Sequence, residues 1–138
     1  MDAQVSPYLL FDGDCKKALE FCHSIFGGEL SVQAAGETPM AAQFPENMHD
    51  RIINGSVSGK NLQLSASDWM LPEEKPARGN MNCLYVSGTD NAETAEIFAA
   101  LSENGKITDP LTKQPFGLYG RLIDQFNVIW MFHSEINE

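Results

Sequence analysis

The feature that most constrains this chain is an internal repeat. Pro7-Tyr-Leu-Leu-Phe-Asp-Gly13 returns as Asn82-Cys-Leu-Tyr-Val-Ser-Gly88, so that Leu9 meets Leu84, Phe11 meets Val86 and Gly13 meets Gly88, 75 positions later. Two extra residues in the second copy then move the spacing to 77, where Ala18 meets Ala95, Phe21 meets Phe98 and Gly28 meets Gly105. Residue identities match weakly, but the order and spacing match well. Each copy reads strand, glycine turn, amphipathic helix, glycine stop, strand. Self-similarity at this period predicts two modules of one design.

Local chemistry places the elements. Ala18, Phe21, Cys22, Ile25 and Phe26 fall at i, i+3, i+4, i+7 and i+8, one apolar stripe of a helix. Asp14 is its expected N-cap, because a carboxylate there can accept a free first-turn amide. Gly27-Gly28 supplies a left-handed stop. In the second copy Ala95, Phe98 and Leu101 carry the stripe, with Asp90 or Asn91 as cap and Gly105 as stop. Strands are expected over Leu30–Ala35, Arg51–Ser58, Asn61–Ser67, Lys106–Leu111, Leu118–Asp124 and Val128–His133. Gly59-Lys60 reads as a hairpin turn. In the turn Gln125-Phe126-Asn127, Asn127 suits a left-handed conformation. Module one covers about 1–68 and module two about 81–134. Between them Trp69–Asn80 carries Pro72, Pro76 and Gly79 and reads as a linker. Gly36–Asp50, with Pro39 and Pro45, is an irregular insertion of a length that lids and binding loops share with ordinary surface excursions.

Composition excludes several classes of function. At 138 residues, with 43% hydrophobic and 20% charged residues, the chain can bury the core of one globular domain. Its 19 acidic against 9 basic residues give a formal charge of −10, which repels phosphate backbones and anionic lipid, so neither nucleic acid nor membrane is an expected partner. No apolar run approaches the ~20 residues needed to span a bilayer. The opening MDAQVSPYLLFDGD has no basic region leading into an apolar stretch, and a cytoplasmic location is expected. Three cysteines cannot build a full disulfide framework. Cys15 and Cys22 would stand roughly 10 Å apart along a helix, beyond disulfide reach. Cys22 and Cys83 read as small buried hydrophobes. Cys15 lies near a helix start, where a thiol pKa can fall, but nothing beside it marks a nucleophile.

Ser6-Pro-Tyr-Leu-Leu-Phe-Asp-Gly13, Ala18-Leu-Glu-Phe21 and Ile25-Phe-Gly-Gly-Glu-Leu30 are followed by Leu64-Ser-Ala-Ser-Asp68 and Asn104-Gly-Lys-Ile107. Gly120, Asp124-Gln-Phe126 and Trp130 complete a set running from about Val5 to Phe132. In these residues the chain resembles a PhnB-like member of the glyoxalase/bleomycin-resistance/dioxygenase (vicinal oxygen chelate) superfamily. The resemblance implies an α+β fold of two βαβββ modules, whose mixed, curved sheets form a cleft, and a homodimer. It also implies the usual superfamily chemistry: one divalent metal held by His, Gln or Glu, with open positions for a substrate's adjacent oxygens. Bleomycin-resistance relatives use the same cleft to bind a drug without metal. The matching residues are mostly fold-forming, so they speak to architecture more than to chemistry.

Carried over position by position, the superfamily's metal ligands fall at Pro7 or Tyr8, at Gln63, at Asn82 and at Met131. None is His or Glu, and two neutral amides do not make a strong first-row site. A small-molecule-binding protein without a tight catalytic metal is therefore expected, of unknown ligand. The expected lining is Tyr8, Gln63, Ser65, Trp69, Asn82, Tyr119 and Met131, which suits a neutral or weakly polar organic molecule. The alternative is a metal-dependent lyase, isomerase or dioxygenase with zinc, nickel or manganese in a rearranged site built from Gln63, His133 or His49. His23 is expected to face solvent and Trp130 to face the helix as core. Some PhnB-like sequences carry methyltransferase names, but no Gly-x-Gly-x-x-Gly loop follows a strand here. There is likewise no phosphate-binding loop, Gly-x-Ser-x-Gly or Cys-x-x-Cys.

Overall fold

The computed structural model describes residues 1–135. They divide into two compact units that meet at Pro76 and Ala77, inside the expected linker.

The first unit contains β1 (Tyr8–Phe11), α1 (Cys15–Phe26), β2 (Glu29–Ala34), β3 (Ile52–Ser58) and β4 (Gln63–Asp68). Its sheet runs β1-β4-β3-β2, with β1 parallel to β4 and the other pairs antiparallel. The insertion between β2 and β3 forms three short 3-10 turns, at Ala35–Glu37, Ala41–Gln43 and Glu46–Met48. Helix α1 packs on one face of this sheet. It buries Cys15, Ala18, Leu19 and Cys22, whereas Phe21, Ile25 and Phe26 of the expected stripe are only half-buried. The helix lies close over β3, since a Cβ added at Gly55 would stand 2.6 Å from Leu19 Cδ1. Gly27 and Gly28 both take positive φ and end the helix as expected.

The N-terminal cap of α1 differs from expectation. Asp14 occupies the cap position but makes no side-chain cap bond. The acceptor comes instead from the far end of β4. Asp68 Oδ1 accepts the amides of Gly13 (2.8 Å) and Cys15 (3.1 Å), and Oδ2 accepts the amide of Ile52 (2.8 Å). Asp68 is almost fully buried, at 2% exposure, so one carboxylate ties the start of α1 and the start of β3 to the end of β4.

The second unit repeats the design with β5 (Leu84–Gly88), α2 (Asn91–Ser102), β6 (Lys106–Gln114), β7 (Gly117–Ile123) and β8 (Ile129–Ser134). Its sheet runs β5-β8-β7-β6, again with the first strand parallel to the last. The fold class is thus two βαβββ modules with open, mixed four-stranded sheets. Asp90 caps α2 through the amides of Ala92 and Glu93. Thr94, Phe98 and Leu101 are its buried residues, and Ala95 of the expected stripe is exposed. Phe98 meets Phe132 edge-on at 5.0 Å. Asn104 takes the left-handed stop (φ 58°) rather than Gly105. Gly105 is needed for space instead, because a Cβ there would run into the Ile123 carbonyl. Asn127 is left-handed (φ 66°), as its turn predicts. That turn is held by Asp124, whose Oδ1 accepts the amides of Phe126 and Val128 while Oδ2 accepts the buried Trp130 indole N–H (2.8 Å). Burial raises the Asp124 pKa against the opposing pull of these bonds. Each helix has 12 residues, and among the described residues none is long and apolar enough to cross a membrane.

Candidate functional site

In each module one sheet face is covered by its helix and the other carries the candidate functional residues. On β4, Leu64, Ala66 and Asp68 are buried on the helix side. Alternation then sends Gln63, Ser65 and Ser67 to the opposite face, where Gln63 is exposed and Ser65 half-buried but Ser67 is itself buried. The register brings Tyr8 beside Ser65 on one flank and Ser56 beside Ser65 on the other. Gln63 does not join Tyr8. It sits opposite Ser58, whose hydroxyl donates to Gln63 Oε1 at 2.6 Å. The face of module one is therefore a row of hydroxyls and amides with Tyr8 at its edge.

Trp69, the next residue after β4, belongs to a separate concavity. Its indole N–H is shared between the carbonyls of Leu71 (2.9 Å) and Glu74 (3.0 Å). A pocket of about 480 Å³ is lined by Trp69, Asp12, Met48, Arg51 and residues 71–76. Arg51 closes one side, pairing with Asp12 at 2.9 Å and donating to the Trp69 carbonyl at 2.8 Å. The sequence predicts Trp69 in the binding lining, and it lines this pocket while its indole N–H holds the segment that leads out of module one.

In module two, Gly120 faces α2, since a Cβ there would stand 2.8 Å from the Phe98 ring. Leu122, Trp130, Phe132 and Ser134 are buried. Tyr119 and Arg121 of β7 and Met131 and His133 of β8 alternate with these onto the other face. Tyr119 lies opposite His133 and Arg121 opposite Met131. On the parallel side Met131 has Tyr85 as its neighbour. Asn82 does not take that place. It is exposed and precedes β5 by two residues, because the parallel register starts with Leu84 opposite Trp130. Sequence reasoning missed Tyr85 and Arg121. The alternation of Tyr119 and Arg121 with Gly120 and Leu122 carried a signal for Arg121, but nothing in the sequence states the register of a parallel pair.

The residues present do not fit a first-row divalent metal. At the four positions implied by the resemblance, Pro7 has no donor and its alternative Tyr8 offers only a phenol, Gln63 Oε1 is engaged by Ser58, Asn82 lies outside its strand, and Met131 has the Arg121 cation as its cross-strand neighbour. The rearranged set is not gathered. His133 Nε2 lies 3.0 Å from the Phe116 carbonyl, and His49 Nε2 lies 2.8 Å from the Ala41 carbonyl and 3.2 Å from that of Phe44. A carbonyl only accepts, so in both rings Nε2 donates and Nδ1 keeps the lone pair. His49 also precedes the end of β3 that meets Asp68, while Gln63 starts β4, so the length of β4 (roughly 17 Å) separates them. Among the described residues no group of three or more His, Cys, Asp or Glu gathers as a metal site. His23, expected to face solvent, is half-buried and its Nδ1 has no partner.

The cysteines also depart from expectation. Cys83 is exposed rather than buried. Cys15 is fully buried beside Asp68 and Asp14, and burial first, then those carboxylates, push its pKa from 9.0 up to about 12. The helix start does not activate this thiol, because burial disfavours the thiolate and the Asp68 carboxylate adds to that.

A family profile described as 3-demethylubiquinone-9 3-methyltransferase matches residues 3–132. The chain belongs to this family. It is similar to protein PA1353 of Pseudomonas aeruginosa, a solved structure 29% identical, with 99% of this chain and 100% of that one covered and a TM-score of 0.85. It is also similar to protein YjdN of Escherichia coli, 27% identical over 94% of this chain and 93% of that protein. A Bacillus cereus structure titled as a putative 3-demethylubiquinone-9 3-methyltransferase, PhnB protein, shares the fold at 20% identity, 96% and 99% coverage and a TM-score of 0.76. More distantly, so does a Nocardioides glyoxalase/bleomycin resistance protein/dioxygenase, at 14% identity, 99% and 86% coverage and a TM-score of 0.60. The fold is thus the one that solved PhnB and glyoxalase/bleomycin resistance protein/dioxygenase structures share.

Proposed function

We propose that this protein binds a small organic molecule on the open faces of its sheets, without a tightly held catalytic metal. The observation that carries the reading is Arg121 standing cross-strand from Met131, the last-strand position at which the superfamily resemblance implies a metal ligand. A guanidinium there opposes a divalent cation and supplies hydrogen-bond donors to a ligand instead. Tyr8, Ser65 and Gln63 on module one, and Tyr85, Tyr119 and Met131 on module two, offer the mixture of aromatic surface and a few polar groups from which small-molecule sites are made. The family's description names a methyltransferase. Binding is favoured over methyl transfer because β1 is followed by Asp12-Gly13-Asp14 and β5 by Thr89-Asp90, neither of which is a glycine-rich nucleotide loop.

The rival reading, a metal-dependent lyase, isomerase or dioxygenase, is separated by titrating the protein with zinc, nickel and manganese and following its melting temperature. A ligand that binds only the folded state raises that temperature with the logarithm of its concentration once that concentration passes Kd. No such rise is expected with any of the three. Stoichiometric metal binding with such a rise, together with turnover of a hemithioacetal or catechol, would overturn the proposal. We further propose a homodimer located in the cytoplasm. Free thiols at Cys15, Cys22 and Cys83 accord with a reducing compartment, and light scattering tests the mass.

A further inference from the structure

The open face of module two has a property that the sequence did not suggest, namely a cation without an anionic partner. Arg121 stands on β7, the second strand from the free edge of its sheet. Its Nη1 donates to Thr108 Oγ1 at 3.1 Å, and the Thr108 hydroxyl lies 3.1 Å from the Arg121 carbonyl, so the side chain is tethered to its own strand pair. Asp109 is its cross-strand neighbour on β6, but among the described residues no carboxylate, that of Asp109 included, lies within ion-pair distance of it, in a chain where acidic residues outnumber basic ones by 19 to 9. Arg51 in module one, by contrast, is paired with Asp12. The guanidinium presents five N–H donors, so a tether through one nitrogen leaves a donor fork for another molecule.

The surroundings narrow what that molecule can be. Met131 faces Arg121 across β8, and Tyr85 faces Met131 across β5. Two residues along β7, Tyr119 faces His133. The adjoining Phe116 ring lies 5.8 Å from the His133 ring and 6.4 Å from that of Tyr119. Strand spacing makes the patch from β5 to β7 about 10 Å wide. It therefore combines one cationic fork with a thioether and aromatic rings.

We propose that this face holds a small organic carboxylate, with the carboxylate on Arg121 and a flat apolar body over Met131 and the tyrosines. The inference rests on the small-molecule reading above and departs from the neutral ligand that the lining residues suggested in sequence. A carboxylate and a guanidinium match in bidentate, charge-assisted geometry, which a neutral amide cannot reproduce. Planar rings find stacking partners in the flanking tyrosines.

The test uses benzoate and its neutral counterpart benzamide, titrated into the full-length labelled protein and followed by NMR. The Arg121 Nε–H signal is assigned by its loss in Arg121→Gln. Benzoate is expected to shift that signal and the β7 and β8 amides saturably. Benzamide should bind at least tenfold more weakly, and Arg121→Gln should lose at least tenfold in benzoate affinity while keeping a dispersed amide spectrum. Arg121→Lys, which retains charge without the fork, should fall between. Equal affinity for benzoate and benzamide, or an unchanged benzoate affinity in Arg121→Gln, overturns the anion preference while leaving small-molecule binding standing. No benzoate shift at β7 and β8 overturns the inference outright. Stoichiometric metal binding with a rising melting temperature in the separate titration is the outcome that removes the underlying reading.

Discussion

Asp68 accepts three backbone amides from two distant segments, and the consequence of removing it can be worked out bond by bond. A hydrogen bond to a charged group contributes about 1.5–3 kcal/mol net, and the amides of Cys15 and Ile52 are buried, with no water to replace the lost acceptor. Asp68→Ala should therefore cost about 4–6 kcal/mol, a large share of the roughly 5–15 kcal/mol that holds a domain together. Asp68→Asn keeps one oxygen, which can serve Gly13 and Cys15, but turns an amino group toward the Ile52 amide. Its expected cost is about 2–3 kcal/mol. Asp14→Ala is the control. Asp14 sits in the cap position without making a cap bond, so its removal should change stability by no more than about 0.5 kcal/mol. Urea unfolding followed by far-UV circular dichroism gives all three values, provided the denaturant slopes stay equal. A neutral Asp68→Asn, or an Asp14→Ala as costly as Asp68→Ala, would show that the long-range carboxylate is not what caps α1.

Three further outcomes follow from burial and close contact. A thiol reagent at pH 8 should modify Cys83 in the native protein and leave Cys15 and Cys22 unmodified until the chain unfolds, as peptide mass mapping will show. Because the folded Cys15 pKa lies above 9.0, at about 12, the folded state holds that proton more tightly. Its contribution to stability is complete below pH 9 and is lost as pH rises toward 12, so Cys15→Ala should flatten the alkaline limb of a stability profile. Gly105→Ala would force a Cβ against the Ile123 carbonyl and 3.0 Å from Asp124 Cα, both backbone atoms that cannot rotate away. A loss of about 1–3 kcal/mol is expected by thermal or urea unfolding, and wild-type stability would mean that β7 yields at no cost.

Much of this architecture was legible in the chain. The repeat around Gly13 and Gly88 announced two modules, Gly27-Gly28 and Asp90 marked helix ends, and the alternation of Gln63, Ser65 and Ser67 defined an open strand face. These are local signals, carried by φ preference, capping chemistry and the two-residue period of a strand. The misjudged features share a different character. Asp14 was a sound local candidate for the α1 cap, but Asp68, remote in sequence, accepts the neighbouring amides of Gly13 and Cys15 through the parallel pairing of β1 with β4. Asn82 aligned with Pro7 in the repeat, yet the register of β5 on β8 put Tyr85 beside Met131 instead. Cys15 lay where a helix start would activate a thiol, but burial first and the nearby Asp68 carboxylate second hold its proton on. The internal repeat, then, was determined by the sequence alone and indicated how many modules to expect and which side of each strand stays open. Which side chains become neighbours across strands joined by no tight turn was decided only in the tertiary structure. A parallel pair has no hairpin to set its register, so the placing of Tyr85 beside Met131 was not legible, whereas Arg121 meets Met131 across the β7–β8 hairpin, whose turn the sequence does show.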